Sequence, residues 1–264
     1  MDLKLDGKTA LVTGSTGGIG LAIAKGLAAE GVRVFVNGRT EARVRQAIDT
    51  IRKEQTGARL EGIVADLATV EGSQTAIRRV GALDILVNNL GVYEVKAFEE
   101  ITDEDWLAMI GTNFLSGVRL SRHWLPRMKA AGWGRIIFVS SESAVQIPKE
   151  MIHYGVTKTM QVALARGLAE TTAGTAVTVN SILPGPTYSE GLAGFVEGSA
   201  KQQSVTVEQV EKDFFRSVRP SSLLRRFETT DEVAALAVFL ASPLSSGTNG
   251  VALRVEGGVV RSIL

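Results

Sequence analysis

Short apolar runs alternate with longer segments in which apolar residues recur every three or four positions, almost from one end of the chain to the other. The short runs predict buried β-strands, and the wider spacing predicts helices with one apolar face. Strands are therefore expected at residues 9–13, 32–37, 60–65, 85–88, 135–140, 176–183 and 252–255. Helices are expected at residues 19–29, 41–53, 103–129, 151–171 and 231–240.

This alternation of strand and helix predicts an α/β fold, a three-layer Rossmann-type doubly wound sheet of seven parallel strands with helices on both faces. A length of 264 residues suits a single domain spanning 1–264. Only residues 185–227, rich in Gly, Ser, Gln and charge, interrupt the alternation, with a helical patch around 207–218. Long insertions in a compact domain usually form lids or binding loops, so this segment is expected to cover the substrate.

Composition narrows the range of partners. The net charge is +1 and the charged residues are dispersed, so no basic run can follow a nucleic-acid backbone. With no cysteine and two histidines, no metal site is expected. His123 is assigned to packing or an interface, and His153 to surface or packing, with a pocket wall as the alternative. The charged amino terminus leads into an apolar strand too short for a signal sequence or a membrane span, so a cytoplasmic protein without membrane binding is expected.

A glycine-rich turn follows the first predicted strand. Residues 13–20 read TGSTGGIG and lead directly into the first helix. Such a turn lets the main chain approach a pyrophosphate, and the N–H groups of the helix amino terminus attract the anion. Glycines that serve only tight packing are the alternative, but the position after the first strand favours dinucleotide binding. The residues expected at the cofactor here are Gly14, Ser15, Thr16, Gly18, Ile19 and Gly20.

The spacing of these glycines resembles the TGxxxGxG turn of the short-chain dehydrogenase/reductase family, and further motifs extend the resemblance over nearly the whole chain. Residues 88–91, NNLG, resemble the family's NNAG, and Tyr154 with Lys158 matches its YxxxK. The resemblance implies that a nicotinamide dinucleotide also contacts Asp66, Leu67, Asn89, Gly91, Tyr154, Lys158, Pro184, Gly185, Thr187 and Ser189. Asp66 has a second interpretation, as a cap of the helix that follows it.

Four residues that carry chemistry stand in the order and spacing of that family: Asn113, Ser141, Tyr154 and Lys158. Tyr154 is the expected general acid in carbonyl reduction, and Lys158, one helical turn further on the same face, is expected to stabilise its phenolate. Ser141, just past the fifth strand, is expected to polarise the substrate oxygen, although two neighbouring serines offer the same hydroxyl. The resemblance implies that Asn113 holds a water linking Lys158 to solvent, and that Lys158 bonds the nicotinamide ribose.

The end of the second strand bears on the choice of cofactor. Dinucleotide sites that prefer NAD(H) place an acid there for the ribose hydroxyls, whereas this strand ends in Asn37-Gly38 and is followed by Arg39. A guanidinium can hold a 2′-phosphate through two parallel N–H groups, so NADP(H) is expected rather than NAD(H). A solvated turn arginine is the alternative interpretation, and Glu41 offsets some of the positive charge, so that Arg43 is a possible second cation.

These observations predict an NADP(H)-dependent oxidoreductase that transfers a hydride reversibly between the nicotinamide and a small-molecule ketone or secondary alcohol. The alternatives are an NAD(H)-dependent dehydrogenase of the same type and a non-catalytic dinucleotide-sensing protein. The resemblance further implies a homotetramer formed through the helices at 103–129 and 151–171 and through the last helix and strand. The apolar end at residues 259–264 fits burial at such an interface.

Overall fold

The computed structural model describes residues 2–263, apart from the side chain of Phe195, so the terminal positions 1 and 264 of the expected domain lie outside the described residues. The strands are β1 (Thr9–Val12), β2 (Arg33–Gly38), β3 (Leu60–Val64), β4 (Ile85–Asn88), β5 (Gly134–Val139), β6 (Val177–Pro184), β7 (Thr187–Tyr188), β8 (Glu228–Thr229) and β9 (Ala252–Val255). The helices are α1 (Gly18–Ala29), α2 (Glu41–Glu54), α3 (Val70–Val80), α4 (Asp103–Ile110), α5 (Ser116–Ala131), α6 (Ile152–Glu170), α7 (Glu190–Gln203), α8 (Val207–Ser217) and α9 (Thr230–Ala241).

Seven strands form one parallel sheet in the order β3-β2-β1-β4-β5-β6-β9, which confirms the predicted doubly wound fold. The order reverses between β1 and β4, where connections leave in opposite directions and open a crevice at the carboxyl ends of the strands. Strands β7 and β8 pair separately with each other. The sheet therefore places this crevice beside the glycine turn that follows β1.

Helices cover both faces of the sheet because each carries one apolar stripe that can be buried only against it. One core layer joins the sheet to α1, α2 and α9 through residues such as Ile23, Ile51 and Val233. The opposite layer joins it to α3, α5 and α6, with Trp124 and Ala165 at its centre. Among the described residues, no helix is both long and apolar enough to cross a bilayer.

The helix predicted over residues 103–129 is present, but a π-helical turn interrupts its regular spacing. Helix α4 ends at Ile110, residues Gly111–Leu115 form a π-helical turn, and α5 then continues to Ala131. A π-turn adds a residue within a helix and rotates the faces on either side of it, so a three-to-four apolar spacing does not reveal it. The inserted turn carries Asn113, which is buried.

Two helices were absent from the sequence prediction. Helix α3 is polar and has Gly72 in its first turn, because a Cβ at that position would overlap the main chain of Asp66. Helix α7 contains three glycines, which lower helix propensity by about 1 kcal/mol each. Tertiary packing compensates, since residues 185–227 form their own apolar cluster around Val196, Phe215 and Phe227. The patch expected around 207–218 is helix α8.

The apolar carboxyl end is only partly available for a subunit interface. Val259 and Val260 are buried within the chain itself, and the Glu256 carboxylate accepts hydrogen bonds from both of their main-chain N–H groups. Ile263, by contrast, is 93% exposed. The expectation that residues 259–264 are buried together by another subunit is therefore wrong for the first two.

Candidate active site

The glycine turn between β1 and α1 has the shape of an anion cradle. Gly14 and Gly18 have φ values of +60° and +55°, a region that side chains rarely adopt. A Cβ at Gly20 would lie 2.6 Å from the carbonyl oxygen of Gly14, so the turn closes only with glycine there. Gly17 precedes α1 and no side chain caps the helix within the described part of the chain. The first-turn N–H groups of α1 therefore face the crevice without a side-chain acceptor.

Two asparagine side chains hold this turn in place. Asn37 Oδ1 accepts a hydrogen bond from the Gly14 N–H at 3.1 Å, and Asn37 Nδ2 donates to main-chain oxygens at the end of β3. Asn89 Nδ2 donates to the carbonyl oxygens of Thr13 at 2.9 Å and Gly14 at 3.1 Å. From the sequence, Asn37 was noted only because it is not an acidic residue. A polar residue at the end of a buried strand is nevertheless a signal that its side chain bonds the neighbouring main chain.

Several residues predicted to contact the cofactor have side chains that are committed to contacts within the chain. The Ser15 hydroxyl donates to the Val12 carbonyl at 2.7 Å and accepts from the Asn37 N–H at 2.9 Å, so it is committed inside the turn. The Leu67 side chain is buried in the core. The Thr187 hydroxyl donates to the Gly185 carbonyl at 2.9 Å. Side-chain contacts from Ser15 or Leu67 to a ligand would therefore require rearrangement, whereas the Thr187 hydroxyl can still accept a hydrogen bond.

Asp66 does not cap the helix after β3. Its carboxylate accepts from the Ala68 N–H at 3.0 Å, whereas Thr69 is the N-cap of α3 and accepts from Gly72. The alternative interpretation of Asp66 as a cap is therefore wrong. Its side chain remains exposed at the carboxyl end of β3, on the side of the crevice.

The remaining predicted cofactor residues surround the same crevice. The side chain of Thr16 packs over Gly38, Ile19 lies partly buried against the core, and Arg39 is exposed just after β2. A Cβ at Gly91 would lie 3.3 Å from Lys158 Nζ. Pro184 is the last residue of β6, and Gly185 follows it. Further along the chain, Ser189 approaches the glycine turn, with its Cβ 3.4 Å from the Cβ position of Gly18.

The four predicted catalytic residues meet at the carboxyl ends of β4 and β5. Of the three neighbouring serines, Ser140 donates to the Lys158 carbonyl at 2.8 Å and Ser143 donates to Glu142 at 2.7 Å. Ser141 is the serine whose hydroxyl lowers the pKa of the Tyr154 phenol by hydrogen bonding, while its Oγ accepts from the Ser143 N–H at 3.1 Å. The structure therefore separates Ser141 from the two alternatives that the sequence left open.

Burial affects Tyr154 and Lys158 in opposite directions. It raises the pKa of Tyr154 to about 12, an increase that the hydrogen bond from Ser141 and the charge of Arg219 partly oppose. It lowers the pKa of Lys158 to about 7. Lys158 Nζ lies 5.6 Å from the centroid of the Tyr154 ring. The phenol is therefore protonated at neutral pH, beside an amine that can gain or lose its charge there.

The π-turn places Asn113 against the segment after β4. Asn113 Oδ1 accepts from the Val92 N–H at 2.8 Å, while its Nδ2 donates to the Val92 carbonyl at 2.9 Å and to Thr157 Oγ1 at 3.0 Å. These bonds fix the Asn113 side chain in position. The main-chain carbonyl of Asn113 faces helix α6 and accepts a hydrogen bond from the Gln161 side chain.

Comparison with known proteins agrees with this geometry. A family model described as short chain dehydrogenase matches residues 8–199. This chain belongs to the short-chain dehydrogenase family. The resemblance stated from the motifs is confirmed, and the protein is an enzyme, an oxidoreductase of this family.

Relatives of this dehydrogenase cover the whole chain. An uncharacterized oxidoreductase of Bacillus subtilis (strain 168) is 45% identical over 263 residues and covers 100% of both chains. A D-beta-hydroxybutyrate dehydrogenase of Cupriavidus necator is 38% identical, covering 97% of this chain and 99% of its own. The crystal structure of L-sorbose reductase from Gluconobacter frateurii, complexed with NADPH and L-sorbose, matches with a TM-score of 0.94 and 31% identity over 100% of both chains.

An ion pair that sequence reasoning missed joins the insertion of this dehydrogenase to its catalytic loop. Arg219 Nε, after α8, donates to Glu142 Oε1 at 2.8 Å, and both residues are buried. Their charges act on the Tyr154 phenol in opposite directions. The partners lie 77 residues apart, so no local pattern reveals the pair.

His153 is a packing residue and not a pocket wall in this dehydrogenase. Its ring is fully buried, with its centroid 6.0 Å from that of Trp106 on α4. His123 packs edge-on against Trp124, with ring centroids 5.3 Å apart.

Proposed function

We propose that this dehydrogenase transfers a hydride reversibly between NADP(H) and a small-molecule ketone or secondary alcohol, with Tyr154 as the general acid and base. The observation that carries the proposal is the cluster of buried Ser141 and Lys158 with the partly buried Tyr154 beside the glycine cradle. The nicotinamide supplies or accepts the hydride when bound. The cradle fits a dinucleotide, because its close main-chain approach and uncapped helix terminus suit a pyrophosphate.

In the reductive direction, the Tyr154 phenol donates its proton to the carbonyl oxygen of the substrate. A pKa of about 12 keeps the phenol protonated before the reaction, and the Ser141 hydroxyl supports the negative charge that develops on the two oxygens. The charged form of Lys158 stabilises the phenolate left behind. In the oxidative direction, the same phenolate takes the proton of the alcohol.

The dinucleotide is held by the residues that surround the crevice. Main-chain groups of Gly14, Ser15, Thr16, Gly18, Ile19 and Gly20 form the phosphate cradle, and Asp66, Leu67, Asn89, Gly91, Pro184, Gly185, Thr187 and Ser189 line the adenine and nicotinamide ends. Lys158 would bond the nicotinamide ribose, as the family resemblance implies; its Nζ lies 3.3 Å from the Cβ position of Gly91. Asn113, in the π-turn, would hold the water that links Lys158 to solvent.

Preference for NADP(H) over NAD(H) rests on the end of β2. Asn37 is buried in hydrogen bonds to the main chain, so no acid stands at the tip of β2 to repel a 2′-phosphate. Arg39 is exposed beside it. Arg43 is a less available cation, because both of its terminal nitrogens bond the Glu190 carboxylate, at 3.1 and 2.9 Å. The NADPH complex of the Gluconobacter frateurii enzyme supports the same preference.

Replacement of Tyr154 by Phe tests the reaction. This variant removes the transferred proton and leaves the ring in place, so kcat is expected to fall about 10²–10⁴-fold while NADPH binding changes little. A panel of ketones and alcohols followed by cofactor absorbance measures the rate, and fluorescence titration measures binding. Near wild-type kcat in Tyr154→Phe would show that another group supplies the proton.

Replacement of Arg39 by Ala tests the cofactor preference. Arg39→Ala removes a charge-assisted hydrogen bond to the 2′-phosphate. The loss of transition-state stabilisation with NADPH, calculated from the ratio of the kcat/KM values, is expected to be about 1.5–3 kcal/mol, with little change for NADH. Arg45→Ala is the matched control, because Arg45 lies on the solvent side of α2 and pairs with Glu41. Equal use of both cofactors by the wild type, or an unchanged ratio in Arg39→Ala, contradicts the assignment.

A further inference from the structure

A glutamine side chain joins the lysine of the YxxxK motif to the π-turn. Gln161 lies three residues after Lys158 on α6, which places both side chains on one face of the helix. Gln161 Nε2 donates to the Asn113 carbonyl at 2.5 Å, and Gln161 Oε1 accepts from Lys158 Nζ at 3.3 Å. Both residues are nearly inaccessible to solvent, at 2% and 4% exposed.

The orientation of the Gln161 amide follows from its two partners. A main-chain carbonyl can only accept, so the NH₂ end of the amide must face Asn113. The carbonyl end then faces Lys158, whose amine can donate. Because both partners demand the same orientation, the amide presents an acceptor to Lys158 and cannot flip without breaking both bonds.

We propose that Gln161 is a positioning residue for the reaction, one whose amide holds the charged Lys158 amine in place beside Tyr154. Lys158 Nζ has two acceptors in its buried site, the Val139 carbonyl at 2.9 Å and Gln161. These two bonds leave further N–H capacity for the ribose or the phenolate. The inference rests on the proposed function for its catalytic consequence, but not for its effect on Lys158 itself.

Gln161 acts by favouring the protonated form of Lys158. Hydrogen bonds to a charged group stabilise that form and oppose burial, which lowers the pKa of this lysine. The titratable neighbour of Lys158 is Tyr154 on the same helix. Around the Lys158 amine, the packed elements present the Val139 carbonyl from β5, the Gln161 amide and the Gly91 main chain. The charges of Glu142 and Arg219 act on Tyr154. Removal of the Gln161 acceptor therefore reduces the charged fraction of Lys158 at neutral pH.

Titration of Lys158 in the free enzyme tests the proposal without cofactor. Enzyme labelled with ¹³C at lysine Cε is titrated by NMR, with the Lys158 signal identified by its loss in Lys158→Arg. Gln161→Met removes both hydrogen bonds at similar size and is expected to lower the Lys158 pKa by about one. Gln161→Glu places a carboxylate opposite the amine and is expected to raise it. Gln46→Met, on the exposed side of α2, is the matched control.

Opposite changes in the two variants, with none in the control, support the proposal. Unchanged values in both, or changes in the same direction, overturn it, since a residue that only fills space would not distinguish Met from Glu. If Gln161→Met does not fold, Gln161→Glu decides alone: a raised value supports the proposal and an unchanged value overturns it.

Kinetics add the catalytic consequence. With less charge on Lys158 to stabilise the phenolate, the rise of the alcohol-oxidation rate with pH, which reports loss of the Tyr154 proton, is expected to move to higher pH in Gln161→Met, with kcat/KM at neutral pH about tenfold lower. If the wild type turns over no ketone or alcohol, the proposed function fails, while the titration of the free enzyme still decides the role of Gln161.

Discussion

A buried carboxyl beneath the loop after β6 allows a prediction whose size follows from the structure. Glu228 on β8 is 4% exposed, and its Oε2 accepts from the Gly185 N–H at 3.2 Å. Burial raises the pKa of Glu228 from 4.5 to about 7, and the nearby carboxylates of Glu232 and Glu256 add to this rise. The side chain therefore stays protonated in the folded protein over a range in which it is ionised in the unfolded chain.

Glu228→Gln is expected to stabilise the protein above neutral pH. The folded state binds the proton more tightly, so stability from this group is complete below the unfolded pKa of 4.5 and is lost as pH rises through about 7. The difference corresponds to about 3 kcal/mol at pH 8 and less than about 1 kcal/mol at pH 5. Glutamine is neutral at both values and can still accept from Gly185, so the variant avoids the loss.

Urea unfolding followed by tryptophan fluorescence at pH 5 and pH 8 measures these free energies. The expected result is a gain for Glu228→Gln at pH 8 that largely disappears at pH 5. Glu99→Gln, at an exposed position, is the control and is expected to change stability little at either pH. The reasoning fails if Glu228→Gln is no more stable than wild type at pH 8, or if its gain is the same at both pH values.

Two further predictions concern the insertion and the assembly. Arg219→Met leaves the buried Glu142 carboxylate without its ion-pair partner and is expected to lower the free energy of unfolding in urea by about 3–5 kcal/mol. The double variant with Glu142→Gln is expected to recover most of that loss. A double variant no more stable than Arg219→Met would show that the two charges are not coupled. Light scattering at micromolar concentration is expected to report about four times the chain mass of 28.1 kDa, and a monomer would contradict the proposed tetramer.

Much of the fold was predictable because its signals are local. Apolar runs of four to eight residues and glycines at fixed spacing depend on neighbours a few positions away, and they located all seven strands of the main sheet and the turn after β1. The same reasoning missed α3 and α7, where polar or glycine-rich sequence becomes helical through contacts made elsewhere in the chain. It also missed the π-turn, since an inserted residue does not alter composition.

By itself the sequence predicted the strand and helix alternation, the glycine cradle around Gly14 and the placement of Tyr154 and Lys158 on one helix face, because each depends on residue type and short spacing. Only the tertiary structure decided which serine faces the phenol, which side chains hold Lys158, and how the insertion is tied to the catalytic loop. Those answers depend on partners 48 residues apart for Gln161 and Asn113 and 77 apart for Arg219 and Glu142. Such pairs meet only after the sheet has brought the carboxyl ends of its strands to one edge. Burial at that edge shifts the pKa values of Tyr154 and Lys158, and no local sequence pattern reveals that burial.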